Sequence, residues 1–144
     1  MYGKIERCFD YEALTAVWLE SVRATHGFLS EEDIEFYHDR IPSSYMPCVE
    51  LYAARDSRGA WCAFIGLSED MVEMLFVRPD VMRMGYGTML LGFATEEKGI
   101  RKVDVNEQNT GALAFYKRHG FTAAGRDAVD SEGKSYPIIH LTKP

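Results

Sequence analysis

The stretch from Met71 to Leu91 constrains the fold of this chain most. Met71-Val72-Glu73-Met74-Leu75-Phe76-Val77 is apolar apart from Glu73 and reads as a strand with both faces covered. A short loop containing Pro79 follows, then Gly85-Tyr86-Gly87, then Met89, Leu90, Phe93 and Ala94 at helical spacing. The period thus changes from 2 to 3.6 across one loop, and Gly99 marks the helix stop near Lys98. A strand that feeds a glycine-opened helix makes an anion site. First-turn N–H groups lack intrahelical partners and sit at the positive end of the helix dipole. Glycines there let a diphosphate approach the backbone, although Gly-x-Gly at a helix start also serves close packing. No Lys-Ser/Thr follows the glycines and no third glycine has dinucleotide-fold spacing, which excludes those two phosphate loops.

Around this segment the chain reads as one continuous α/β (α+β) domain over residues 1–144. Met1 to Phe9 is expected as a first strand. Asp10 is a candidate N-cap for a helix with the stripe Leu14, Val17, Trp18 and Val22. Ser30 with Asp33 resembles a capping box for a second helix carrying Ile34, Tyr37 and Ile41, stopped by Pro42. Val49–Ala54 and Ala60–Leu67 read as strands joined by a turn through Gly59. After Gly99, Val103 and Val105 mark a strand, Thr110–His119 a helix, and Phe121–Arg126 with Ser135–Thr142 a closing pair of strands. The predicted order is β-α-α-β-β-β-α-β-α-β-β, a mixed sheet flanked by helices.

Composition removes several function classes. The net charge of -6 disfavours nucleic acid, since phosphate binding requires a basic face. No apolar run approaches the roughly 18 residues that a membrane span needs, and the N-terminus has no signal-peptide pattern. Cys8, Cys48 and Cys62 are read as reduced core thiols of a cytoplasmic protein, and the scattered histidines predict no metal. Trp18, Trp61 and the methionines are read as core.

Two motifs carry a resemblance. Val77, Pro79, Gly85 and Gly87 match the pattern Val-x-Pro-x-x-Arg/Gln-x-x-Gly-x-Gly, and Asn109, Ala112, Tyr116, Gly120 and Phe121 match Asn-x-x-Ala-x-x-x-Tyr-x-x-x-Gly-Phe. In this order they resemble the acetyl-CoA-binding signatures of the GNAT acetyltransferases. The stretches Ser21–Leu29, Val105–Asn109 and Gly125 to Pro137 further resemble small bacterial members of that family. One position departs: Met82 stands where the motif has Arg or Gln, with Arg83 beside it.

The resemblance implies a GNAT fold, with a mixed, mostly antiparallel sheet of about six or seven strands and about four helices. It implies acetyl-CoA as cosubstrate and direct transfer of the acetyl group to a primary amine of a small molecule or peptide, without an acyl-enzyme. The cofactor residues it points to are Leu75, Phe76, Val77, Arg83, Met84, Gly85, Tyr86, Gly87, Thr88 and Asn109, with an N–H of Phe76 or Val77 polarising the thioester carbonyl. Tyr116 falls on the family's proton donor, and core packing is its competing role. Glu73 is the candidate base, on the reading that it shares a strand face with Leu75 and Val77; a strand-start glutamate facing water is the alternative. His26 and Phe28 are candidates for the acceptor pocket. Arg78, Lys117 and Arg118 are further cations that could attract phosphates. A homodimer is compatible with the chain. The Met82 substitution keeps open a second reading, a non-catalytic acyl-CoA-binding sensor.

Overall fold

The computed structural model describes residues 4–144. In chain order the elements are β1 (Glu6–Arg7), α1 (Tyr11–Thr25), α2 (Glu31–Arg40), β2 (Glu50–Arg55), β3 (Trp61–Ser68), β4 (Met71–Val77), α3 (Tyr86–Gly92), β5 (Lys102–Asn106), α4 (Thr110–Arg118), β6 (Thr122–Asp127) and β7 (Ile138–Thr142). The predicted order therefore stands. Most of the expected first strand reduces to Glu6–Arg7, and Met1–Gly3 lie outside the described residues.

Local chemistry accounts for the boundaries. The Asp10 carboxylate accepts from the Ala13 N–H at 3.1 Å, and the Ser30 hydroxyl accepts from the Asp33 N–H at 3.1 Å, so both predicted N-caps form. As expected, the second α-helix ends at Arg40, just before Pro42. The chain continues through a wider turn over Ile41–Tyr45, in which the Met46 N–H bonds the Ile41 carbonyl. A proline lacks an N–H, and at the first positions of a new turn that donor is not needed. The third helix likewise widens into a turn over Phe93–Glu97 before Gly99, which adopts φ +67°.

Seven strands form one sheet in the order β1-β2-β3-β4-β5-β7-β6. All neighbours are antiparallel except β4 and β5. Two apolar clusters cover its faces. One joins Leu90, Leu91, Tyr116 and Phe121 from the α3/α4 side to Val72, Val103, Val105 and Leu141. The other joins Leu14, Val17, Trp18 and Val22 of α1 to Leu51, Phe64 and Met74. Strand β3 is buried from Cys62 to Leu67 because both layers press on it.

Three core assignments require correction. Met84 is 67% exposed on the loop before α3. Cys48 is exposed, whereas Cys8 and Cys62 are buried. Trp61 is half-buried at the edge of the α1-side cluster, against which it packs, with the Arg55 guanidinium 3.6 Å above its ring as a cation–π cover.

Candidate active site

Strands β4 and β5 pair only at Met71–Lys102 and Val72–Val103. Beyond that rung they part, and the β5-facing edge of β4 has no strand partner. The gap becomes a cleft of about 750 Å³ lined by β4 from Val72 to Val77, β5 from Val103 to Asn106, the loop and first turn of α3, and α4. Backbone N–H groups along a parted strand edge are unpaired donors, suited to a polarised carbonyl.

A β-bulge sets what faces this gap. Gly66 pairs with Met74 and Leu67 with Val72, so Glu73 is the extra residue. Val72 faces the α3/α4 cluster, and after the bulge Leu75 and Val77 do so too, while Met74 and Phe76 turn to the α1 side. Strict alternation, on which Glu73 was placed beside Leu75 and Val77, is therefore interrupted at Glu73 itself. Its carboxylate is exposed, accepts from the Ser68 hydroxyl at 2.8 Å, and lines the cleft.

The two glycines of the loop differ. Gly85 is the N-cap of α3 with φ +92° and open space where a Cβ would stand, so its role is conformational. At Gly87, where φ is not left-handed, an added Cβ would meet the Phe115 ring at 3.4 Å, an ordinary contact, so packing against α4 does not require glycine there. Arg83 is also left-handed, at φ +65°, and exposed on the cleft wall. Met82 is half-buried there, and Tyr86 and Thr88 line the same wall. Arg118 joins this cationic end. Arg78 does not, because its guanidinium is held by Asp56 at 2.7 Å and Asp80 at 2.5 Å.

Asn109 caps α4, its Oδ1 accepting from the Ala112 N–H at 3.1 Å. Its Nδ2 lies 3.4 Å from His26 Nε2, and His26 Nδ1 lies 2.7 Å from the Thr25 hydroxyl. That hydroxyl donates to the Ser21 carbonyl at 2.8 Å, so the partners assign the proton to Nδ1 and leave Nε2 as acceptor. Burial holds the imidazole neutral, with its pKa pushed down to about 4. At this helix terminus desolvation thus outweighs the attraction of the dipole for a cation.

Tyr116 is buried, with its ring edge-on to Phe115 and Phe121, and it lines the cleft. Burial alone raises its phenol above the ordinary value, so it is neutral and able to donate a proton. Its packing in the core leaves the phenol on the cleft lining.

Phe28 stands 5.2 Å from the His26 ring and 6.0 Å from the Tyr136 ring, and Phe76 closes the other side of His26 at 6.3 Å. This aromatic wall is tied down by a strap absent from the sequence reading. The hydroxyls of Tyr37 and Tyr136 donate to Asp130 and Asp33, Tyr45 donates to Glu132 at 2.6 Å, and Lys134 pairs with Asp33 at 2.9 Å. These contacts fasten the β6–β7 loop to α2 and to the turn over Ile41–Tyr45 that follows it, across sequence separations of 93, 87 and 103 residues. No local periodicity encodes such pairs; the only signal was the turn Asp130-Ser131-Glu132-Gly133.

A parallel strand pair that parts beside a glycine-capped helix, with Tyr116 lining the gap, is the arrangement expected of an acetyltransferase of the GNAT class. The chain belongs to the GNAT family and is an N-acetyltransferase: residues 48–123 match the acetyltransferase (GNAT) domain. It is 39% identical over 130 residues to the peptidyl-lysine N-acetyltransferase YjaB of Escherichia coli, covering 90% of this chain and 88% of that protein. To the same-named protein of Salmonella typhimurium it is 38% identical, covering 92% and 91%. The solution structure of apo YjaB from Escherichia coli superposes with a TM-score of 0.87, 38% identity and coverage of 96% and 95%. The fold also matches the PaiA N-acetyltransferase of Thermoplasma acidophilum, solved with coenzyme A, at a TM-score of 0.73 and 23% identity, covering 97% and 98%. Among the described residues no helix is long and apolar enough to cross a membrane, and no group of three His, Cys, Asp or Glu could hold a metal.

Proposed function

We propose that this chain transfers the acetyl group of acetyl-CoA to the ε-amine of lysine side chains in peptides or proteins. The parting of β4 from β5 after Val72–Val103 carries the reading. It opens a cleft of about 750 Å³ lined by the α3 loop and Tyr116, in which the pantetheine arm lies. The diphosphate binds main-chain N–H groups from Met84 to Thr88, which the left-handed Gly85 turns outward together. Arg83 adds charge from one position beyond the motif's usual cation, compensating for Met82. Phe76 or Val77 polarises the thioester carbonyl through its N–H.

The acceptor enters from the α1 side, between His26, Phe28 and Phe76. Its ammonium must lose a proton first, since an alkylamine near pKa 10 is almost wholly protonated at neutral pH. Glu73, at the mouth of the fork, takes that proton directly or through water. The amine nitrogen then forms its bond to the carbonyl carbon and gives up its surplus proton to water, the C–S bond breaks, and Tyr116 protonates the departing thiolate and is reprotonated from solvent. Lysine as acceptor is supported by the activity named for the two relatives at 38–39% identity. Thiol release tests the reading on a lysine peptide blocked at its N-terminus against the same peptide with norleucine for lysine. Turnover on the first alone is expected; turnover on neither, with acetyl-CoA bound, would refute lysine as the acceptor.

A further inference from the structure

Asn106 ends β5 on the wall of the cleft. Its backbone is engaged: it pairs with Ile138, and its carbonyl accepts from the Asn109 N–H at 3.0 Å. Its side-chain oxygen is not. Oδ1 is shut off from solvent with no hydrogen-bond partner, the one such atom among the described residues. A buried polar atom left unpaired is unfavourable and calls for a cause. Nothing about the strand demands asparagine here, because a leucine of similar size would pair through the same backbone.

Alternation gives the orientation. Val103 and Val105 pack into the α3/α4 cluster, so Asp104 and Asn106 occupy the opposite face of β5. That is the face on which Phe76 and the end of α1 with His26 lie, the acceptor side of the cleft. Asn106 lines the cleft and no hydrogen bond holds Oδ1, so a turn about Cβ–Cγ, a broad torsion, redirects the oxygen without breaking one.

We propose that Asn106 is an acceptor-binding residue: its Oδ1 accepts one N–H of the incoming amine and turns the nitrogen lone pair towards the thioester carbon. The inference rests on the acetyl-transfer reading above. A neutral primary amine has two N–H groups and one lone pair, so one N–H can be anchored while the nitrogen attacks.

The test uses Asn106→Leu and the wild type. The Asn106 side-chain amide signal, assigned by its disappearance in N106L, is followed by ¹⁵N NMR during titration with n-butylamine hydrochloride, with and without coenzyme A. A saturable shift on adding butylamine is expected. A signal that moves with coenzyme A alone assigns Oδ1 to the cofactor and overturns the proposal, as does a signal unmoved by either. In turnover, N106L should raise KM for the blocked lysine peptide about tenfold, leave KM for acetyl-CoA within about twofold, and melt no lower than wild type. A lowered melting temperature with an unchanged peptide KM would make Asn106 structural and overturn the inference. Failure of wild type to bind acetyl-CoA would instead strike at the acetyl-transfer reading, while the butylamine titration still reports on Asn106.

Discussion

His26 Nε2 lies 3.4 Å from the side-chain nitrogen of Asn109, joining the end of α1 to the cap of α4 across the mouth of the cleft. The contact needs a neutral imidazole, since an Nε2–H would point at the amide donor. Burial supplies that state by holding the pKa near 4 against an ordinary 6.5.

The linkage sign follows. Between pH 4 and 6.5 the unfolded chain protonates His26 and the native state does not, so this residue's contribution to stability falls as pH drops through that window. The shift is worth on the order of 3 kcal/mol. His140, bridging Asp104 at 2.6 Å and Asp127 at 2.8 Å, is shifted upward by those carboxylates. Its contribution therefore runs the opposite way, present at low pH and lost as pH rises. The diagnostic quantity is thus a difference: His26→Gln should narrow its stability gap to wild type as pH falls from 6.5 to 4 in urea titrations. A gap that stays constant over that range would contradict the neutral-imidazole assignment.

Tyr116→Phe removes only the hydroxyl from a well-packed ring. Unfolding free energy should change by less than about 1 kcal/mol, and acetyl-CoA affinity should hold. The turnover number should fall about 100-fold or more, the usual contribution of a positioned acid. Tyr116→Ala, by contrast, should lose about 3–5 kcal/mol of stability by emptying the core between Phe115 and Phe121. Unaltered turnover in the phenylalanine variant would leave the residue with packing alone.

Gly85→Ala and Gly87→Ala should separate. The first forces alanine to φ +92°, a strain of about 1–2 kcal/mol, and disturbs the amides that face the diphosphate. It should weaken acetyl-CoA binding roughly tenfold and lower the melting temperature by a few degrees. The second meets only the Phe115 ring edge at 3.4 Å, an ordinary contact, and should bind acetyl-CoA within about threefold of wild type. Calorimetry on the pair checks both values.

The two arginines of the loop should also part. Arg78→Ala breaks the bridges to Asp56 and Asp80 and should lower thermal stability without altering acetyl-CoA affinity. Arg83→Ala should leave stability unchanged and weaken affinity about two- to fivefold, an effect that shrinks as salt is raised.

Much of the frame was legible because its signals are local. Asp10 and Ser30 cap through their own third neighbours, and Gly85, Gly99 and Gly120 mark boundaries by left-handed φ values of 92°, 67° and 92°. The placement of Tyr116 and Asn109 on α4 beside the cleft was legible because a motif fixes both residue and element. What escaped depends on contacts that sequence spacing does not carry. The bulge at Glu73 arises from how β4 pairs with β3, and the extra turn over Ile41–Tyr45 from how α2 joins β2. The tyrosine–carboxylate strap and the unpaired Asn106 oxygen exist only once strands far apart in sequence are side by side.

Titration calorimetry of the folded wild-type protein with acetyl-CoA tests the central claim most directly. Saturable binding near one equivalent at micromolar to submillimolar concentrations is predicted, weakened by Gly85→Ala and untouched by Tyr116→Phe. Absence of any binding heat up to millimolar acetyl-CoA would contradict the assignment of the β4–β5 cleft as the thioester site.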